Sequence, residues 1–258
     1  MVKEEVQFLS HPAIKGHPSL VKLIGYCSEK QGSGVVYDLN PRGTLHNLVP
    51  KDDLNWIHRV NILLQIARLV EFLHSQNKPF LILNINESHI MLDWDHNPKL
   101  CDLGLITSKK EIPMSIGYID PFLAAKGTSF PLQTSCDVFS FGAMLLRLIS
   151  KRKLEVEKLE KAEAIVVENL VHCWAKKEYK PHCSLVHKSL QQDWGYMPQD
   201  GIAITHLGMS CIEFFPTNRP SMKHVVQHLE GLLVLKRIAD MRPYKREKKF
   251  HGDLQMDM

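Results

Sequence analysis

The apolar positions of the chain fall into two rhythms. Between Leu54 and His74, the residues Ile62, Ile66, Leu69, Val70 and Leu73 recur at spacings of three and four. That is the stripe of a helix buried along one face. The run from Val138 to Ile149 is almost unbroken in its apolarity and predicts a helix covered on all sides. Gly201 to Cys211 predicts a further apolar helix, and a closing helix is expected to run to about Leu235. At the start, Val2, Val6 and Leu9 share a helical face. His11-Pro12 ends that helix, because proline disfavours helical geometry in the residue before it. Between the helices the pattern shortens. The stretch from His17 to Cys27 reads as a turn into a strand, and Val35-Val36-Tyr37 as its hairpin partner. The intervening Gly32-Ser33-Gly34 is a turn and not a phosphate loop, since no third glycine and no helix follow it. Asp95-His96-Asn97-Pro98 is a turn between two short strands. Residues 150–200 are the least regular. Lys151 to Lys161 reads as a solvated helix face, and Trp174 as the anchor of the next helix.

Composition narrows the class. A hydrophobic content of 44% supplies a sizeable core, and a net charge of +4 makes no case for nucleic acid or a membrane surface. The six cysteines form no C-x-x-C pair, which argues against zinc ribbons and a disulfide framework and fits a reducing compartment. No run reaches the roughly 18 apolar residues that a membrane span needs. The start, Met1-Val2-Lys3, resembles no signal peptide and lacks the glycine that myristoylation requires. H-E-x-x-H and G-x-S-x-G are absent, and the fourteen histidines show no zinc spacing.

The chemistry-bearing stretch is Leu81-Ile82-Leu83-Asn84-Ile85-Asn86-Glu87-Ser88-His89-Ile90-Met91-Leu92-Asp93, with Asp102-Leu103-Gly104 nine residues on. Its spacing resembles the catalytic loop and metal loop of protein kinases, H-R-D-x-K-x-x-N then D-F-G. Other segments resemble plant receptor-like kinases. These are H-P-S-L-V-K-L-I-G-Y-C, V-V-Y-D-L-N-P-R-G-T-L, K-L-C-D-L-G-L, G-Y-I-D-P-F, S-C-D-V-F-S-F-G and P-T-N-R-P-S-M, with Arg59 and His74 matching in the long helix.

The resemblance implies an α+β, protein-kinase-like fold. A mostly helical C-lobe would span 40–235. Residues 1–39 would be a reduced N-lobe, holding part of the family's αC helix and its fourth and fifth strands. A basic tail, read as disordered, would cover 236–258. The family's glycine-rich loop and ATP-binding lysine precede the αC helix, and the chain begins inside that helix. By position, Glu5 is the αC glutamate, here without its lysine. Tyr37 is the gatekeeper, and Asp38 and Leu39 form the hinge. Met91 is the floor of the nucleotide cleft, and Asp102 the one retained metal ligand. The lobe-joining stack would be Leu9, Leu23, Leu103, Ile82 and Asp137, and the loss of the loop histidine to Ile82 leaves Asp137 short of a partner. Arg219 has lost its usual glutamate to Phe122, and is expected to find Asp120, another carboxylate or water. Leu83 removes the arginine that reads a phosphorylated activation segment, so Ser108 and Ser115 would not switch the protein in the usual way.

The catalytic positions are degenerate: Asn84 replaces the base, Asn86 the lysine and His89 the metal-binding asparagine. An amide cannot take up a proton at neutral pH, and imidazole suits Mg²⁺ poorly. These substitutions imply a pseudokinase: no enzyme and no cofactor, ATP and Mg²⁺ being the exception to test, and no rescue by Asn84→Asp alone. Such a protein would be a scaffold for an active kinase or receptor, cytoplasmic, and at the plasma membrane only through that partner. The alternative is a truncated serine/threonine protein kinase that keeps ATP binding. A third reading is a decayed product that folds poorly.

Overall fold

The structure, a computed structural model, describes residues 2–29, 32–83, 85–101, 118–126, 131–152 and 170–240. It opens with helix α1 (Val2–Leu9), which lies against an antiparallel hairpin of β1 (Leu23–Glu29) and β2 (Gly32–Tyr37). The buried face of α1 is Glu5, Phe8 and Leu9, with Val6 only half-buried. The expected Val2–Val6–Leu9 face is therefore rotated, because Glu5 turns inward to accept the Tyr37 hydroxyl.

A second sheet, of order β3-β4-β5, is antiparallel throughout: Gly43–Thr44, Ile90–Leu92 and Pro98–Leu100. The two sheets are tied where Val21 N–H donates to the Leu100 carbonyl at 3.1 Å and Leu100 N–H donates to Ser19 O at 2.8 Å. The turn between β4 and β5 is built by Asp93, which accepts the amides of Asp95 and Asn97.

The helical body is organised on α5 (Thr134–Ser150), every residue of which from Cys136 onward is buried. The other helices are α2 (Leu45–Leu48), α3 (Trp56–His74), α4 (Pro121–Lys126), α6 (Val171–Glu178), α7 (Pro198–Cys211) and α8 (Met222–Glu230). Asn55 caps α3 by accepting from His58 N–H at 3.0 Å. The apolar stripe read from the sequence, with Leu63, Leu64 and Val60, is buried against α5 and α8. Gly142 allows the closest approach of α5 and α7: a Cβ there would lie 2.5 Å from that of Cys211.

Arg59 lies fully buried in this body and donates to the carbonyls of Leu54, Val49 and Leu148. Burial pushes its pKa down to about 10, which leaves it charged at neutral pH and stapling three loops and helix ends together.

The closing helix stops at Gly231, and a further helical segment covers 233–240. Buried Asp200 starts it, accepting from Leu233 N–H at 2.7 Å and Val234 N–H at 2.9 Å. Removing a capping carboxylate costs about 0.5–2 kcal/mol. Asp200→Ala is therefore expected to speed amide exchange in 233–240 while α5 stays protected, and uniform protection would show the cap to be idle.

Two histidines carry a pH signature. His17 Nδ1 accepts the Ser19 amide at 3.1 Å, which a protonated ring cannot do. His96 stacks on His58 at 4.0 Å, and its Nε2 faces the Arg42 guanidinium. Burial lowers the pKa of both below the ordinary value, helped by Lys99 at His17 and by His58 and Arg42 at His96, with Asp93 and Asp53 opposing at His96. A histidine with a folded pKa below its unfolded value of about 6.5 binds fewer protons when folded. Its stabilising contribution is complete above that pH and is lost as the pH falls towards the folded pKa. The melting temperature is thus expected to fall between pH 7.5 and 5.5. His96→Asn, which suits the left-handed backbone there (φ 63°), should flatten the slope. A melting temperature that holds or rises on acidification would contradict the assignment.

Candidate active site

The loop between α3 and β4 is held from below by Asp137. This carboxylate is fully buried and accepts Ile82 N–H at 3.0 and 3.2 Å, Leu83 N–H at 2.6 Å and His74 Nε2 at 2.8 Å. The expectation that Asp137 is left short of a partner is thereby corrected. The loop offers backbone amides, which no side-chain substitution removes, and His74 arrives from the end of α3. Leu83 sits at φ 56°, a left-handed conformation that costs a leucine of order 1–3 kcal/mol. The Asp137 bonds hold it there.

Asn86 is buried, and its Oδ1 accepts Ser88 N–H at 2.9 Å, capping the 3-10 turn Glu87–His89. The His89 carbonyl accepts Cys101 N–H at 2.9 Å and the Cys101 thiol at 3.3 Å. Position 89 thus lies beside the strand that leads into Asp102. Asn84, Asp102, Leu103, Ser108 and Ser115 lie outside the described residues.

Above this loop, Tyr37, Leu39 and Met91 are half-buried and pack on the core, as does Leu23, while Leu9 and Ile82 are inside it. Asp38 is exposed and ion-pairs with Lys22 at 2.8 Å, which holds its carboxyl below the usual range. Glu5, expected to stand without its lysine, accepts the Tyr37 hydroxyl.

Arg219 meets Asp120 in a two-pronged pair at 2.5 and 2.7 Å, so the first of its expected partners is the one it takes. Asp120 also accepts Phe122 N–H at 2.9 Å and so opens α4. The Phe122 ring packs edge-on against Phe214 and Phe215 at the surface.

Sequence reasoning missed a second buried group. Glu87 and Arg147 lie 3.0 Å apart, oriented as an ion pair and not as a hydrogen bond through that nitrogen. Arg147 donates to the Tyr118 hydroxyl at 2.8 Å, and that hydroxyl donates to the other Glu87 oxygen. The available signal was an arginine inside the otherwise apolar run Val138 to Ile149, which demands a buried counter-charge.

As to Mg²⁺, among the described residues no group of three histidine, cysteine or carboxylate side chains could hold a metal. Mg²⁺ accompanying nucleotide is held by one or two carboxylates plus phosphates.

A helix-backed hairpin, a second small sheet and a helical body in which the Asp137 carboxylate of α5 holds the loop between α3 and β4 define a kinase-type domain. The chain belongs to the protein kinase domain family, whose profile matches residues 1–229. Over 90% of its length it is 33% identical to the serine/threonine-protein kinase BIK1 of Arabidopsis thaliana, covering 61% of that protein. A receptor-like protein kinase of the same plant, At1g72540, is 37% identical over 87% of the chain and 51% of its own length. The L-type lectin-domain containing receptor kinase V.9 is 29% identical over 85% of the chain and 34% of its own length. The chain thus spans about three-fifths or less of these relatives.

These findings overturn the expectation that the chain is not an enzyme. A kinase domain with named serine/threonine kinases among its relatives points to an enzyme. Among the described residues no helix is long and apolar enough to cross a membrane.

Proposed function

We propose that this chain is the phosphoryl-transfer part of a serine/threonine protein kinase of the plant receptor-like kind. The observation that carries the reading is the catalytic loop itself. It is anchored on Asp137 and tied through the His89 carbonyl to Cys101, the residue before Asp102 in the chain, within a chain that matches the family from residue 1 to 229. In this reading Tyr37, Leu39 and Met91 would line the adenine site, and Asp102 would hold Mg²⁺ brought in with ATP, which would supply neutralisation of charge on the phosphates.

Phosphoryl transfer passes through a loose transition state that rests mainly on positioning and electrostatics. Asn84 can accept a hydrogen bond from the substrate hydroxyl through its amide oxygen. That orients the hydroxyl, while the proton leaves to a phosphoryl oxygen or water as the new O–P bond forms and ADP departs. The reading therefore describes a slow kinase. The same proposal takes a receptor or a second kinase as protein partner and the cytoplasm as the site of action.

The test is thermal unfolding with and without ATP and Mg²⁺, followed by transfer of labelled phosphate to casein. Ligand at a hundred times its dissociation constant adds about 2.7 kcal/mol, a clear rise in melting temperature, which Asp102→Ala should diminish. A cooperative transition that ATP and Mg²⁺ leave unmoved, with no label on casein, would sink the reading.

A further inference from the structure

The mechanism above makes no use of a deeply buried charged cluster beside the loop. Glu87, Arg147 and Tyr118 are 1%, 2% and 4% exposed, and they come from three separate parts of the chain. Glu87 belongs to the 3-10 turn of the catalytic loop and follows Asn86, the residue that caps that turn. Tyr118 belongs to the segment 118–126, which begins where the activation segment ends. Arg147 stands on α5 between them. Two turns earlier on α5, Ser140 donates to the Tyr118 carbonyl at 2.8 Å, so one helix grips both the backbone and the side chain of Tyr118.

The three polar groups close a ring. Arg147 donates to the Tyr118 oxygen, Tyr118 donates to Glu87, and Glu87 faces the Arg147 guanidinium. Burial and the Glu87 carboxylate push the Tyr118 pKa well up, so the phenol stays a donor. Burial works against the Arg147 charge, yet Glu87 and Tyr118 outweigh it and keep the guanidinium pKa raised. Removing one partner of a buried pair leaves an uncompensated charge, which is strongly unfavourable. The ring is therefore made whole or not at all.

We propose that Glu87, Arg147 and Tyr118 are positioning residues, a buried ring that locks the catalytic-loop turn to the segment 118–126 so that the two move as one body. A displacement of Tyr118 is passed through Arg147 to Glu87, and so to its neighbours Asn86 and His89. Its consequence for phosphoryl transfer rests on the kinase reading, but the coupling itself does not.

The test is amide hydrogen exchange on the full chain, read residue by residue, with Tyr118→Phe as the mildest variant because it deletes one oxygen and keeps the ring. Losing a hydrogen bond to a charged group should speed exchange in residues 86–90 by about 10–100-fold, while the amides of α7 keep the wild-type rate. Glu87→Gln should loosen 118–126 in return. If Glu87→Gln does not fold, Arg147→Lys, which keeps the charge but not the fork, replaces it as the reciprocal probe. Where the wild type transfers phosphate, Tyr118→Phe should lower kcat with nucleotide affinity unchanged. Where it does not, the kinase reading fails, and the exchange pattern alone decides the coupling. Acceleration spread evenly over every helix, or none in 86–90, would overturn the proposal, since both describe groups that stabilise the fold without linking the two segments.

Discussion

Arg219→Ala is expected to lower folding stability by about 3–5 kcal/mol, the usual loss when one partner of a buried ion pair is removed. The guanidinium has five N–H groups, and the structure gives each an acceptor: Asp120 twice, and the carbonyls of Glu213, Phe214 and Ser135. Truncation strands the Asp120 carboxylate, which is 2% exposed, and frees three carbonyls at the joins of α4, α5 and α7. The effect should appear as a lower urea midpoint with little change in slope.

The same accounting predicts what does not help. The resemblance to receptor-like kinases implies a glutamate at the position of Phe122, yet Phe122→Glu is expected to bring no gain, because Arg219 has no donor left to offer. It would also remove a ring that packs on Phe214 and Phe215 beside the pair. A stabilising Phe122→Glu would mean that the Asp120 pair is weaker than its geometry implies.

Asn84→Asp is expected to raise the rate of phosphate transfer to casein by about 10²–10⁴-fold, the usual contribution of a general base. Each tenfold corresponds to about 1.4 kcal/mol of barrier. The substitution adds a group that can take the hydroxyl proton and changes little in volume. From the sequence alone, with Asn86 and His89 also degenerate, a single restoration is expected to achieve nothing. The structure gives Asn86 a role of its own. Asn86 is committed to capping the 3-10 turn through Ser88 N–H, so Asn86→Lys should cost the cap and leave the rate no higher. Initial rates at saturating ATP for wild type, Asn84→Asp and Asn86→Lys decide the matter, and an Asn84→Asp rate equal to wild type would show that another missing group limits the reaction.

Much of the scaffold is legible without coordinates. The helices α3, α5 and α7 and the β4-β5 hairpin fall where apolar spacing and turn residues put them, because both signals are local; in the first hairpin, Gly32-Ser33-Gly34, read as the turn, instead begin β2 and pair with Glu29, Ser28 and Cys27. A helix stripe is fixed by residues three and four apart, and a turn by the residues that bend it. The face of α1 was not legible. Valines at 2 and 6 look like the apolar side, but Glu5 is drawn inward by a hydroxyl 32 residues away. Nor was the end of the chain's helical body, since the segment 233–240 is started by Asp200, more than thirty residues upstream.

The site divides in the same way. The sequence by itself determined the family frame and which charges the core must accommodate. It also left Arg219 to find Asp120, another carboxylate or water. The tertiary structure alone decided the partners. Asp120 and Arg219 are 99 residues apart, and Glu87, Tyr118 and Arg147 meet only because α5 passes between the catalytic loop and α4. Asp137 stays satisfied because it takes backbone amides that exist whatever side chains the loop carries. The reason is physical. Periodicity is written by near neighbours, whereas the counter-charge of a buried group is chosen by whichever distant segment the packing brings within about 3 Å.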